Sequence, residues 1–439
     1  MLVAGAAAVD ITPPVGTPLD GYGGRIDVSR GVHDPLSARA LYLDDGEAPV
    51  ALVVCDLVGV GRSLVARARE LIAGRPGIPA ERVLVAATHT HAGPAGVRGT
   101  GDPSLVEMVA RQVAGAVQSA KWRATEGRLK YGIAPLDSIA QNRREPSWPI
   151  DHRLDVLAVD TPDGTNLATV ARYSCHPTTM ERDNLLISAD YPGAARTVIE
   201  QVIGGGTTAL YFNGCCGNIN PAWIRQEFGD MWRVGSIAGA RAAVVSQELR
   251  PLGVNHQAHN IRWNELTEKP VTAGRLVEEA PLKAASRTVE MPYRTGLEDE
   301  QLATIIASFE QELGQATTTE ERRSISARLT RARGERAALQ RVRSRGPARP
   351  CEVQAMRLGE GLYLLGLPGE VFVETQEEIR EASGMEDLII AAYANDYPGY
   401  FCRPEAYEQG GYEAGVTPFS GEADRLLVRA ALDVLEEVR

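Results

Sequence analysis

The chain has 439 residues, 44% of them apolar and 23% charged, a balance that permits a large buried core and excludes a disordered polymer. Lys plus Arg number 46 against 57 Asp plus Glu, a net charge of −11, which argues against a general nucleic-acid binder. No apolar run is long enough to span a bilayer, so no transmembrane helix is expected.

The opening MLVAGAAAVDITPP has no basic segment and meets Asp10 and Pro13 before any adequate apolar stretch. It does not read as a signal peptide, and a cytoplasmic protein is expected. Residues 50–55 (VALVVC) read as a buried strand, 62–73 as an amphipathic helix and 83–87 (VLVAA) as a second strand. Further strands are expected at 167–174, 207–212, 362–366 and 388–393. This βαβ rhythm gives an α/β fold class, with mixed β-sheets covered by helices.

Several of these strands run into polar clusters: THTH at 88–91, CHPTTM at 175–180, NGCCGNINP at 213–221, PGE at 368–370 and NDYPGY at 395–400. Strand ends followed by loops are where α/β folds hold reactive groups, so the clusters point to one shared site.

Residues 296 to 350 differ from the rest. Leu302, Ile305, Ile306, Phe309 and Leu313 keep a helical period, and Thr318 with Glu321 can form a capping box opening a second helix that carries Ile325 and Leu329. A helical hairpin inserted at 296–347 is predicted. Ten arginines fall between Arg322 and Arg349; a solvated helix face explains them, with a lid, an oligomer contact or an anion-binding surface as alternatives. The six cysteines form no C-x-x-C pair and read as buried thiols.

Two of the seven histidines stand in Thr88-His89-Thr90-His91. In an extended segment, side chains at i and i+2 point the same way, so His89 and His91 can share metal chemistry, although such pairs also occur in satisfied cores. His176 follows an apolar run and precedes Pro177, which keeps its backbone out of helix. Glu370 follows a strand and opens the amphipathic VFVETQEEIREA, where a helix N-terminal carboxylate is the bland alternative. Tyr400 and Tyr412 lie in a loop rich in Gly, Pro and Tyr.

Nine blocks, taken in order, resemble the neutral/alkaline non-lysosomal ceramidase family. They are GAAAVDITPP at 5–14, GYGGR at 21–25, GVHDPLSARALYL at 31–43, ATHTHAGPAG at 87–96, QNRREPSW at 141–148, SCHPTTM at 174–180, NGCCGNINP at 213–221, LPGE at 367–370 and GYFCRPEAYEQGGYEAG at 399–415. The resemblance runs from about residue 3 to residue 420 apart from the hairpin. It implies one ceramidase-like catalytic domain over 1–439, without a counterpart of the family's C-terminal β-sandwich.

Members of that family are zinc amidases acting on N-acyl sphingosine. The resemblance implies zinc ligation by His89, His176, Glu370 and Tyr400, with Tyr397 as the competing tyrosine. In the family a second functional tyrosine lies twelve residues beyond the ligand, and Tyr412 stands there. Two imidazoles, a carboxylate and a tyrosine oxygen suit zinc with one open position. His91 is the expected proton carrier or oxyanion partner, and Arg143 and Tyr412 the groups that bind the carbonyl or a polar head.

Two departures shape the expectation. Where the family carries a catalytic serine, this chain has Asn220, whose amide is no nucleophile but can donate to an oxyanion or read a polar substrate. Cys215 and Cys216 are the conceivable replacement nucleophiles. Aromatic residues make up only 5%, and the stretch after Pro221 is short and mixed in polarity, so a substrate smaller or more polar than ceramide is expected. The predicted function is a zinc-dependent hydrolase cleaving an amide bond with a metal-activated water. The alternatives are an ester, lactone or carbohydrate-derivative hydrolase, or a non-catalytic metal- or ligand-binding protein. The expected partner is a small-molecule amide or ester, not nucleic acid, and a homo-oligomer is left open.

Overall fold

The computed structural model describes residues 1–23, 25, 27–98, 102–249, 274–294 and 299–439. Three β-sheets organise them. The first runs Val83–Ala87, Val50–Cys55, Ser37–Asp44, Val3–Asp10, Thr125–Glu126 from edge to edge; the second runs Thr208–Asn213, Asn166–Tyr173, Arg153–Asp160, Arg128–Pro135, Gly274–Leu276; the third runs Lys283–Pro292, Ala348–Gly359, Leu362–Gly366, Asp387–Ala391.

Each sheet contains one parallel pair with a helix between its strands: Val50–Cys55 with Val83–Ala87, Asn166–Tyr173 with Thr208–Asn213, and Leu362–Gly366 with Asp387–Ala391. The intervening helices are Arg62–Gly74, Asp190–Ile203 and Val373–Ser383. The other pairings in these sheets are antiparallel. The mixed α/β class read from the sequence is the one observed.

Side-chain alternation explains the layering. Along Val50–Cys55, Ala51, Val53 and Cys55 join the helix-side core with Leu64, Val65, Ala68 and Ile72 of the first helix. Leu52 and Val54 point the other way, into a second cluster with Leu157, Val170 and Leu210 of the second sheet and Leu362, Leu364 and Ile389 of the third. The three sheets therefore share one core, and a strand with apolar residues at every position is buried on both faces. Strands such as Lys283–Pro292 carry no continuous apolar run and are only partly buried, which is why no apolar-run criterion finds them.

Helices span Asp299–Gln315 and Thr319–Arg345; residues 296–298 of the predicted hairpin lie outside the described residues. The capping box forms, with Thr318 N donating to Glu321 Oε2 at 3.1 Å and Glu321 N to Thr318 Oγ1 at 3.2 Å. Arg328 pairs with Glu312, Arg333 with Glu310 and Arg336 with Asp299, so the helices run antiparallel and these three arginines face carboxylates of their own neighbour. No described helix is long and apolar enough to cross a membrane.

Candidate metal centre and the cavity beside it

All three parallel units deliver polar loops to one place. The strand Val83–Ala87 ends before Thr88, His89 and Thr90, all fully buried. The backbone at His89 is left-handed, with φ of 72°, so the two histidines do not converge through an extended pleat as their spacing suggested. Such a conformation at a non-glycine residue costs about 1–3 kcal/mol and persists where its surroundings over-determine it. Here Thr88 N donates to Cys55 O and His89 N to Leu57 O, both at 2.9 Å.

His176 lies past the end of Asn166–Tyr173, its amide donating to Ile219 O at 3.0 Å. Glu370 sits in a two-residue strand, Glu370–Val371, paired in parallel with Tyr400–Phe401. The helix begins only at Val373, so Glu370 is not a helix N-terminal carboxylate as the local pattern allowed.

The functional atoms converge. Glu370 Oε2 lies 3.5 Å from His89 Nε2 and 3.2 Å from His176 Nε2. His91 Nε2 lies 3.2 Å from His89 Nε2, and ligand atoms of the three imidazoles fall within 4.8 Å of one another. His89 Nδ1 is 2.5 Å from Val58 O and His176 Nδ1 is 2.6 Å from Cys216 O. Backbone carbonyls can only accept, so both Nδ1 atoms carry a proton and Nε2 is the atom that each ring would turn to a bound cation.

This donor set fits a divalent cation. His176 Nε2 and Glu370 Oε2 are buried without hydrogen-bond partners among the described residues, a costly state that a bound cation would relieve. Burial, with Arg143 nearby, pushes His176 down to about 4, leaving it neutral. His91 differs from the other two histidines. Its Nδ1 is buried without a partner among the described residues, and burial beside His89 and His176 keeps its ring neutral.

The two tyrosine candidates divide the contacts. The Tyr397 hydroxyl donates to Glu370 Oε1, and its ring lies 6.0 Å from that of His89. Tyr400 is the register partner of Glu370, and its hydroxyl lies 3.1 Å from Arg143 Nη2. Burial raises both phenols well above their usual value.

Arg143 leads away from the centre. Its Nε donates to Glu413 Oε1 at 2.6 Å, Nη2 to Gly217 O at 2.6 Å and Nη1 to Asn220 Oδ1 at 3.4 Å. Beyond it opens a cavity of about 520 Å³ lined by Arg143, Arg144, Trp148, Asn220, Tyr412 and Glu413, among others. Tyr412 is 59% exposed and meets Tyr400 edge-on at 6.0 Å. Arg144 and Glu413 escaped the sequence reading, although each adjoins a residue it named.

Cys215 and Cys216 do not make nucleophiles. Both are fully buried, burial pushes the Cys215 thiol up to about 12, and Cys216 rises further while its sulfur contacts the Tyr393 hydroxyl at 3.0 Å.

Residues 2–214 match the family model for neutral/alkaline non-lysosomal ceramidase, N-terminal. The neutral ceramidase of Pseudomonas aeruginosa is 25% identical over 456 residues, covering 90% of this chain and 66% of that protein. The neutral ceramidase of Mycobacterium tuberculosis is 24% identical over 512 residues, covering 100% of this chain and 77% of that protein. The chain thus spans about two thirds to three quarters of the length of these relatives. The crystal structure of the P. aeruginosa neutral ceramidase superimposes with a TM-score of 0.72 at 20% identity, over 100% of this chain and 75% of that one. A ceramidase complexed with C2 gives the same TM-score and identity.

Proposed function

We propose, on the premise that this chain belongs to the neutral/alkaline non-lysosomal ceramidase family, that it hydrolyses an N-acyl amide bond at a zinc ion held by His89, His176, Glu370 and Tyr400. The observation that carries the reading is the pair of buried, unpartnered atoms, His176 Nε2 and Glu370 Oε2, beside two imidazoles whose Nδ1 protons are anchored on backbone carbonyls. A zinc ion bound there supplies Lewis acidity toward the acyl oxygen and the attacking water.

The chain's own residues supply the rest. His91, neutral and adjacent to His89, takes a proton as water adds to the acyl carbon and returns it to the leaving nitrogen. Arg143 and Asn220 offer donors to the acyl oxygen or the neighbouring polar group. Asn220 has no hydroxyl to form an acyl-enzyme, so attack by water is the route these residues allow. The polar wall of the adjoining cavity supports a substrate smaller or more polar than ceramide.

Elemental analysis beside a panel of amides and esters tests the reading. One zinc per chain and turnover of amides are expected. His89→Ala and Glu370→Ala should each lose most of the activity and most of the metal. Full zinc occupancy in both variants would remove the ligand set. Turnover of esters alone would remove the amidase assignment.

A further inference from the structure

We propose that the cavity beside the metal centre is a carboxylate subsite, so that the substrate is an amide bearing a carboxylate close to the scissile bond, of the N-acyl amino acid class. The inference rests on the amidase reading and goes beyond it by naming the group that the substrate carries.

The charge balance of the wall points this way. Arg143 and Arg144 are its cations and Glu413 its one anion; Trp148, Asn220, Gln409 and Tyr412 are uncharged. Each oxygen of the buried Glu413 is already taken, Oε1 by Arg143 Nε at 2.6 Å and Oε2 by Arg144 Nη1 at 3.0 Å. Two guanidiniums therefore share one carboxylate, and one positive charge is left on arginine side chains that are themselves largely withdrawn from water. A cation in such a position is costly until an anion completes it.

Hydrogen-bond capacity agrees. Arg144, with its side chain only 7% exposed, gives Nη2 to Gln409 Oε1 at 3.2 Å and Gly410 O at 2.9 Å, and its buried Nε has no partner among the described residues. Asn220 turns its Oδ1 to Arg143, and its Nδ2 makes no hydrogen bond among the described residues. The wall thus has donors in excess of acceptors, the complement of a carboxylate. A long alkyl chain here would strip these groups of water and return nothing.

Arg143 also sets the distance. One guanidinium touches the Tyr400 hydroxyl at the centre and both Asn220 and Glu413 at the cavity. An anion on that wall and a carbonyl at the proposed zinc would thus share Arg143 as a neighbour, the arrangement that an α-carboxylate allows. Water adds to the acyl carbon, the C–N bond breaks, the nitrogen takes a proton, and a carboxylic acid and an amino acid leave.

The test compares N-hexanoylglycine with N-hexanoylglycinamide and N-hexanoylethanolamine, each measured by turnover and by calorimetric binding to the zinc-loaded protein. The carboxylate compound should be favoured at least tenfold in kcat/KM and in affinity. Arg144→Gln and Asn220→Asp, the second of which cancels the surplus positive charge of the wall by setting a carboxylate against Arg143, should each bring that ratio toward one, mainly through KM, with zinc content unchanged. Equal or better handling of the neutral compounds by the wild-type protein overturns the subsite while the amidase reading stands. A preference that survives both substitutions also overturns it, since the carboxylate would then be sitting on the metal. Failure to turn over any of the three amides counts against the amidase reading, and the binding ratio then decides the subsite separately.

Discussion

Asn213 donates its side-chain Nδ2 to the carbonyl of Thr88, the residue immediately before His89, at 3.2 Å. The same nitrogen donates to the carbonyl of Cys175, immediately before His176, at 3.1 Å, and Asn213 Oδ1 accepts from Cys175 N at 3.3 Å. Ala392 N donates to the Asn213 carbonyl at 2.9 Å, which brings in the third sheet. One buried amide thus spaces the two histidine loops that come from different sheets.

Replacing Asn213 by Leu should therefore loosen the metal centre without touching a ligand. Outer partners of this kind typically contribute 10–100-fold in metal affinity. Competition with a chromogenic chelator reads the change, and a thermal melt shows that the variant is folded. A folded variant with wild-type zinc affinity would show that the bracket is dispensable.

The tyrosines give a second prediction. On the proposed ligand set, Tyr400→Phe should weaken zinc binding roughly tenfold or more, whereas Tyr397→Phe, which only frees Glu370 Oε1, should weaken it less. The reverse order would move the ligand role to Tyr397.

Gly334 links the helix Thr319–Arg345 to the short helix Tyr412–Val416. A Cβ at Gly334 would lie 2.3 Å from Gly415 O, and Arg294 joins the same two elements through Ala414 O at 2.7 Å and Glu335 at 2.8 Å. Gly334→Ala gains about 1 kcal/mol of helix propensity yet must push Tyr412 and Glu413 aside. A severalfold rise in KM with unchanged zinc content is expected. A variant that is stabilised and keeps its KM would show that the contact does not reach the cavity.

Asp424 gives a pH signature. Its side chain is 1% exposed and accepts from Thr375 Oγ1 at 2.6 Å, and burial raises its carboxyl to about 6. The native state prefers the protonated form, so this group's contribution to stability is full below the unfolded value near 3.8 and is lost as the pH rises through about 6. Over that interval Asp424→Asn should gain on the wild type by about 3 kcal/mol, read from denaturant midpoints. A stability difference that stays flat with pH would place the titration elsewhere.

Much of the scaffold was legible in the sequence. VALVVC, the helix after it and VLVAA showed one βαβ unit, because strands buried on both faces are apolar at every position. The polar clusters at the strand ends located His89, His176 and Glu370 before any coordinates, because rigid strands ending in loops are where such folds gather ligands. Exposed or alternating strands such as Lys283–Pro292 gave no such signal, since their stability comes from pairing with Ala348–Gly359 rather than from their own pattern.

By itself, then, the sequence determined which donor types stand at the strand ends: imidazoles, a carboxylate, tyrosines, and an amide where the family has a serine. Only the tertiary structure decided which atoms meet. It anchored the Nδ1 protons on carbonyls, bent His89 into the left-handed region, set Tyr397 on Glu370 and joined Arg143 to Glu413 across 270 residues. The reason is physical. Strand and helix patterns are written in neighbours along the chain, whereas hydrogen-bond direction and charge balance in a buried site depend on groups that only packing brings within reach.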